Sequence, residues 1–218
     1  STWLHAIATA AFIGHFILFF VIFYIGLRPI SGKYFGDMST YASQYEDFIA
    51  GEKVDFANSK DLGFDIFMKL CSDIMSVEFF FLICTLLYVI PLYLAVKKIL
   101  NKYWFYPFFF LVISLSFWGY GTNGLRNGIA TSFFIYAITR DDKKKIIAFL
   151  IIASLFHKSI YIPLLAYISS LLYKKTKTYI LIWFLAIPLS LALGSFWEGF
   201  FANLNLFDSD RLEGYLDG

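Results

Sequence analysis

The run 4–27 holds 24 consecutive residues without a single acid, lysine or arginine. About 20 such residues carry a helix across the ~30 Å hydrocarbon core of a bilayer. Inside that core only a helix or a closed barrel can satisfy its own backbone polar groups. The run is too long for the apolar part of a signal peptide, and no small-residue cleavage site closes it. Six further apolar stretches follow, at 77–96, 104–120, 125–139, 146–156, 159–173 and 179–197. The expected fold class is all-α: a polytopic membrane protein with about seven membrane-entering helices, forming a single transmembrane domain over 1–218. No Met opens the chain and it stops in the polar stretch FDSDRLEGYLDG, so both ends read as truncations.

Charge gives these segments an orientation. Lys97, Lys98 and Lys102 follow the second stretch, Arg140 and Lys143–Lys145 the fourth, and Lys174, Lys175 and Lys177 the sixth. If every stretch crosses, all three clusters fall on one side, which short basic loops mark as cytoplasmic. Of the 16 acids, only Asp141 and Asp142 share that side. The others lie outside, many in the long loop 28–76. An acidic, Tyr-bearing outer surface fits contact with sugars, and equally an ordinary solvated loop.

Composition agrees with the membrane class. Charged residues make up 16% of the chain, against about 25% in soluble domains. A net charge of +2 provides no broad basic field for nucleic acid. Cys71 and Cys84 read as two small buried hydrophobes and not as a bridge, and no Cys/His cluster has metal-ligand spacing. His5 and His15, in the first stretch, read as helix-packing residues.

The outer loop contains a helix of its own. In DLGFDIFMKLCSDI the residues Ile66, Phe67, Leu70, Cys71 and Ile74 recur at helical spacing, with Asp61, Asp65, Lys69, Ser72 and Asp73 opposite. The pattern predicts an amphipathic helix over about 62–75, lying along the outer membrane surface.

Two polar residues stand out within the spans. Arg126 lies 13 residues before Thr139, or about 20 Å at the helical rise, and His157 lies 12 residues beyond Lys145, or about 18 Å. A tight basic turn joins the two helices, so they should run antiparallel with Arg126 and His157 at one depth. An arginine there is costly, about 3 kcal/mol on insertion scales. It either snorkels to the outer headgroups or holds an anion. Gly119, Gly121 and Gly124 precede it and Asn123 and Asn127 flank it. A glycine-rich turn, a helix start and a guanidinium together could cradle a pyrophosphate. Lys158, next to His157, could join them.

LRNGIA at 125–130, a helix, a basic turn, a second helix and FHKS at 156–159 together resemble the EpsG family of Wzy-like polysaccharide polymerases. That family commonly has Gln after the Arg, where this chain has Asn127. A looser similarity sits in the first outer loop: Arg28, then Gly36, Asp37 and Tyr41. The last outer loop, with Arg211 and Tyr215, is only faintly similar.

The resemblance implies a GT-C-like membrane glycosyltransferase of the bacterial cytoplasmic membrane, active on its periplasmic or extracellular face. It would join undecaprenyl-pyrophosphate-linked oligosaccharide units for O-antigen, capsule or exopolysaccharide, with no nucleotide sugar. The implied partners are that lipid-linked glycan, the bilayer, a flippase and a chain-length regulator. Arg126 and His157 would neutralise the leaving pyrophosphate, so neither cofactor nor metal is expected. Asp37 is the expected base, with Glu198 and Asp210 in reserve. Arg28, Tyr41, Asn123, Asn127, Lys158, Arg211 and Tyr215 are expected to bind substrate. A flippase or other transporter should line its spans with ionisable groups; these spans are nearly free of them. An O-antigen ligase would use the same donor. A non-catalytic scaffold would have no outward cavity at Arg126.

Overall fold

In a computed structural model of the chain, residues 2–57, 59–194, 196, 197 and 199 are described. Among them every regular element is helical. The chain divides into two compact units, 1–161 and 162–218.

The first unit is built around α1 (Thr2–Gly26) and α4 (Val77–Leu100), which pack side by side. α1 turns Leu18, Val21, Ile22 and Ile25 inward and leaves Phe12, Phe16, Phe19, Phe20 and Phe23 outside. An apolar residue on the outside is normal where the solvent is lipid. Gly26 permits the closest approach: a Cβ there would lie 2.6 Å from Leu82 Cδ1 and 3.1 Å from its Cα. Packing inside α1 involves His15 but not His5. His15 Nδ1 donates to the Ala11 carbonyl at 2.7 Å and Nε2 meets the Tyr93 hydroxyl at 3.1 Å. His5 is exposed at the start of the helix.

Stretch 104–120 is not one helix. It divides at Ser114 into α5 (Phe105–Ile113) and α6 (Leu115–Thr122), bent by 69°. Backbone freed by such a break must find partners at membrane depth. Here the Ser114 hydroxyl accepts from Phe117 N at 3.3 Å, and Trp118 Nε1 donates to the Val112 carbonyl at 2.7 Å.

After a short break at Asn123–Gly124, α7 (Leu125–Ile138) and α8 (Lys143–Phe156) form the expected antiparallel hairpin. Phe133 stacks on Phe149, and Tyr136 meets the same ring edge-on. Asp142 caps α8 by accepting from Lys144 N at 2.8 Å. Lys98, at the end of α4, pairs with Asp141 in the hairpin turn. The two basic clusters therefore lie at one end of the unit, as the positive-inside reading requires.

At the opposite end lies the loop 28–76, which contains two helices: α2 (Gly36–Ile49) and α3 (Leu62–Ser72). α3 is the expected amphipathic helix, but a different face is buried. Phe64, Met68 and Cys71 point inward, together with Asp65, while Ile66, Leu70 and Ile74 are exposed. The expected polar face is thus partly internal, because α3 packs against α2, α4 and α8 at once. α2 was not expected. Met38, Tyr41, Tyr45 and Phe48 form its buried stripe, and the Tyr45 hydroxyl donates to the Met75 carbonyl at 2.9 Å.

Seven apolar stretches do become helical, but length separates them. Two helical spans, His5–Gly26 and Val77–Tyr103, are long and apolar enough to cross a membrane, and the bent pair α5–α6 makes a third if it counts as one span. α7 and α8 have 14 residues each, or about 21 Å. Among the described residues the expectation of seven full crossings thus reduces to two or three by length.

The second unit contains α9 (Tyr161–Leu172) from its second residue onward, and α10 (Thr176–Ala192). The Tyr179 hydroxyl lies 2.8 Å from the carbonyls of both Ser169 and Tyr173.

Candidate functional site

Arg126 and His157 converge on a single oxygen. Arg126 Nη1 lies 3.0 Å and His157 Nδ1 2.9 Å from Oδ2 of Asp61. Their predicted common depth follows from the α7–α8 hairpin. The carboxylate comes from neither helix: it stands at the head of α3, and α3 rests on α8. Gly63 makes that contact possible, since a Cβ there would fall 2.5 Å from the Leu155 carbonyl oxygen.

Asp61 occupies the position before the first helical residue, where a carboxylate normally accepts from its own helix. It makes no such bond. Its side chain turns instead to the end of α8, where Oδ1 accepts from Lys158 N at 3.2 Å. The carboxylate is 3% exposed, against 28% and 29% for its Arg126 and His157 partners. Burial alone would raise its pKa. The His157 hydrogen bond and charge, Arg126 and the Lys158 amide outweigh burial and hold it below the usual aspartate range. The group is ionised, so it only accepts. His157 Nδ1 must therefore carry the hydrogen in this contact, and in the neutral form of the ring Nε2 is then the acceptor.

Tyr41 secures the other side of Arg126. Arg126 Nε donates to its hydroxyl at 3.2 Å, and the guanidinium lies 5.5 Å from the Tyr41 ring centre and 6.0 Å from that of Phe64. Burial pushes the Tyr41 phenol up, opposed by Arg126, so it stays protonated. Of the five guanidinium N–H groups, that on Nε is hydrogen-bonded to Tyr41, and Nη1 is paired with Asp61. Arg126 also lines a groove of about 300 Å³ shared with Gln44, Phe48, Ser59 and Asp65.

Other expected site residues fall into three groups. Asn127 is close by: its Oδ1 accepts from Ser159 Oγ at 2.8 Å, tying the head of α7 to the turn after α8. Lys158 contributes its backbone amide, and its side chain is exposed. Asp37 stands one helical turn before Tyr41, near enough for its charge to act on that phenol. Among the described residues, however, the carboxylate that meets Arg126 and His157 is Asp61.

Arg28 is held by backbone groups away from Asp61. Its guanidinium donates to the Ile25 carbonyl and, at 2.8 Å, to the Thr122 carbonyl, and lies over the rings of Phe35 and Phe81. Burial lowers its pKa to about 10, partly offset by Cys84, which leaves it charged. It ties the end of α1 to the end of α6. The adjoining Asn123 has a buried Oδ1 without a hydrogen-bond partner. The glycine-rich turn is shorter than expected: Gly119 and Gly121 belong to α6, and Gly121 makes room for Ile25 and Tyr88. Arg211, Tyr215, Glu198 and Asp210 lie outside the described residues.

Among the described residues no group of three or more His, Cys, Asp or Glu could hold a metal ion. A family model, that of the EpsG family, matches residues 12–218. No curated protein and no solved structure matches the chain.

Proposed function

From the premise that this chain belongs to the EpsG family, we propose that it is a polysaccharide polymerase whose reaction centre is Arg126, His157 and Asp61. The family ties the chain to polysaccharide production at a membrane, and its apolar helices fit a membrane protein. One observation carries the finer reading. A cation and an imidazole, 31 positions apart in sequence, are locked onto one buried carboxylate beside an open polar groove.

The donor is a growing glycan on a polyprenyl pyrophosphate, and the acceptor is the terminal sugar of a second lipid-linked unit. The acceptor hydroxyl attacks the anomeric carbon. A new C–O bond forms there as the bond to the pyrophosphate oxygen breaks, and the hydroxyl proton goes to His157 Nε2. Arg126 offers its remaining N–H groups to the departing pyrophosphate. Charge fixed in advance at a leaving group is usually the largest catalytic contribution. Asp61 is a positioning residue: it sets the imidazole tautomer and anchors the guanidinium. Asn127 and Ser159 keep the two helices in register at this level.

In this reading the core is GT-C-like and sits in the bacterial cytoplasmic membrane, with α2 and α3 on the outer face. A flippase delivers the lipid-linked units and a chain-length regulator sets the product. The experiment is incubation of the purified full-length protein with a synthetic lipid-pyrophosphate repeat unit. Oligomers of the unit are expected, and none with Arg126→Ala. If the parent protein moves the unit across a bilayer but never lengthens it, the chain is a transporter and the proposal fails. Transfer to lipid A-core in place of a second unit would make it a ligase.

A further inference from the structure

The groove beside Arg126 is walled by groups suited to an uncharged polyol. It runs between α2, residues 52–55 and 59–60, and α3, and measures about 300 Å³. That is the lower end of the range for small-ligand sites, about 300–1,000 Å³, and accommodates a short saccharide. Its charged residues balance: Glu52, Asp55 and Asp65 against Lys53, Lys60 and Arg126. With as many carboxylates as cations, the groove as a whole exerts no net pull on an anion. A polyprenyl chain would have to strip water from polar walls. Hydroxyls, which both donate and accept, suit every one of these walls.

One wall is built in advance. Asp65 is only 9% exposed. Gln44 Nε2 donates to its Oδ1 at 3.2 Å, and Ser59 Oγ donates to its Oδ2 at 2.6 Å. These bonds fix the carboxylate, the amide and the hydroxyl as one hydrogen-bonding surface along the groove, with Phe48 among its lining residues. Arg126, where the reaction would occur, is among the residues that line the groove.

We propose that this groove binds the uncharged sugar residues of the acceptor glycan, presenting its terminal hydroxyl to the Arg126 centre. The proposal rests on the polymerase reading and names the substrate part that this side of the site takes.

The test uses the full chain in lipid nanodiscs. The probes are neutral and acidic oligosaccharides separated from a partial hydrolysate of the host's own polysaccharide, and inorganic pyrophosphate. Saturation-transfer NMR should show neutral fragments bound to the parent protein, more tightly than acidic ones. Ser59→Trp, which fills the groove, should weaken that binding at least about tenfold, the loss of a hydrogen-bonded site, with pyrophosphate binding unchanged. Glu52→Ala, on the exposed rim, should weaken it about threefold without threatening the fold. Arg126→Ala should do the reverse, losing pyrophosphate while neutral-sugar binding falls less than with Ser59→Trp. Neutral fragments that bind both groove variants as well as the parent overturn the proposal, and so does a parent that binds only acidic fragments. Sugar binding that survives while pyrophosphate binding never depends on Arg126 would instead count against the polymerase reading alone.

Discussion

The Asp61 carboxylate meets the His157 ring at 2.9 Å across a sequence separation of 96 residues. Everything in the site follows from that contact, because Arg126 is anchored to the same oxygen. Asp61→Asn tests it. The amide keeps the shape but can no longer stabilise two positively charged or donating partners as a carboxylate does. A hydrogen bond to a charged group contributes about 1.5–3 kcal/mol, so a drop in chain elongation of roughly 10–100-fold is expected. Gel ladders should shorten while membrane insertion stays normal. Full-length ladders would remove Asp61 from the mechanism.

Two candidate proton acceptors can be separated directly. His157→Asn should lower elongation about 100-fold or more, the usual contribution of a positioned base. Asp37→Asn should cost far less, since Asp37 lies a turn from Tyr41 and Asp61 holds the reactive pair. Initial rates on a synthetic lipid-linked unit decide between them. The opposite ranking would make Asp37 the base.

Gly63 is a packing requirement. A methyl group at this position would meet the Leu155 carbonyl oxygen at 2.5 Å and its Cβ at 2.6 Å. Backbone cannot yield as a flexible side chain would, so Gly63→Ala should push α3 off α8. Overpacking of this kind costs about 1–3 kcal/mol. A lower Tm in detergent and a weakened Asp61 contact should appear together, with elongation falling alongside.

Arg28 should behave as a structural residue. Its guanidinium spans the Ile25 and Thr122 carbonyls between two aromatic rings. Arg28→Ala leaves those carbonyls without their donor, at about 1–3 kcal/mol for each unsatisfied group. Thermal stability should fall, with KM for the lipid-linked donor little changed in the protein that remains folded. A large rise in KM at unchanged Tm would restore Arg28 to the substrate site.

Acid should act through Asp61. Its pKa is depressed in the folded protein, so its stabilising contribution is present above the unfolded value of about 3.9 and is lost as pH falls through the lower folded value. Stability should therefore be insensitive to this group from neutrality down to about pH 4 and decline below that. Asp61→Asn should remove that acid-dependent component. Melting curves across pH 3–7 would show it.

The hairpin was legible because counting residues from a basic turn fixes depth on two antiparallel helices. Arg126 and His157 meet for that reason. Asp61 was not legible: it reads as one of the polar residues opposite the apolar stripe of an amphipathic helix, and only the packing of α3 on α8 brings it to Arg126 and His157. α2 has a signal of its own in the sequence, since Met38, Tyr41, Tyr45 and Phe48 recur at helical spacing. Arg28 looked like a substrate ligand because a sequence cannot show that two carbonyls from helix ends claim its donors. The break at Ser114 hides inside an unbroken apolar run, where hydrophobicity says nothing of direction.

The brevity of α7 and α8 has a consequence for the lipid around them. A bilayer meeting helices some 9 Å shorter than its oily thickness dimples toward them. Under the proposed function, such a dimple would let a polyprenyl carrier present its diphosphate to Arg126 from ordinary headgroup level, with its tail still among the acyl chains. In that reading the thinned bilayer itself would shorten the path between lipid-linked reactant and reaction centre.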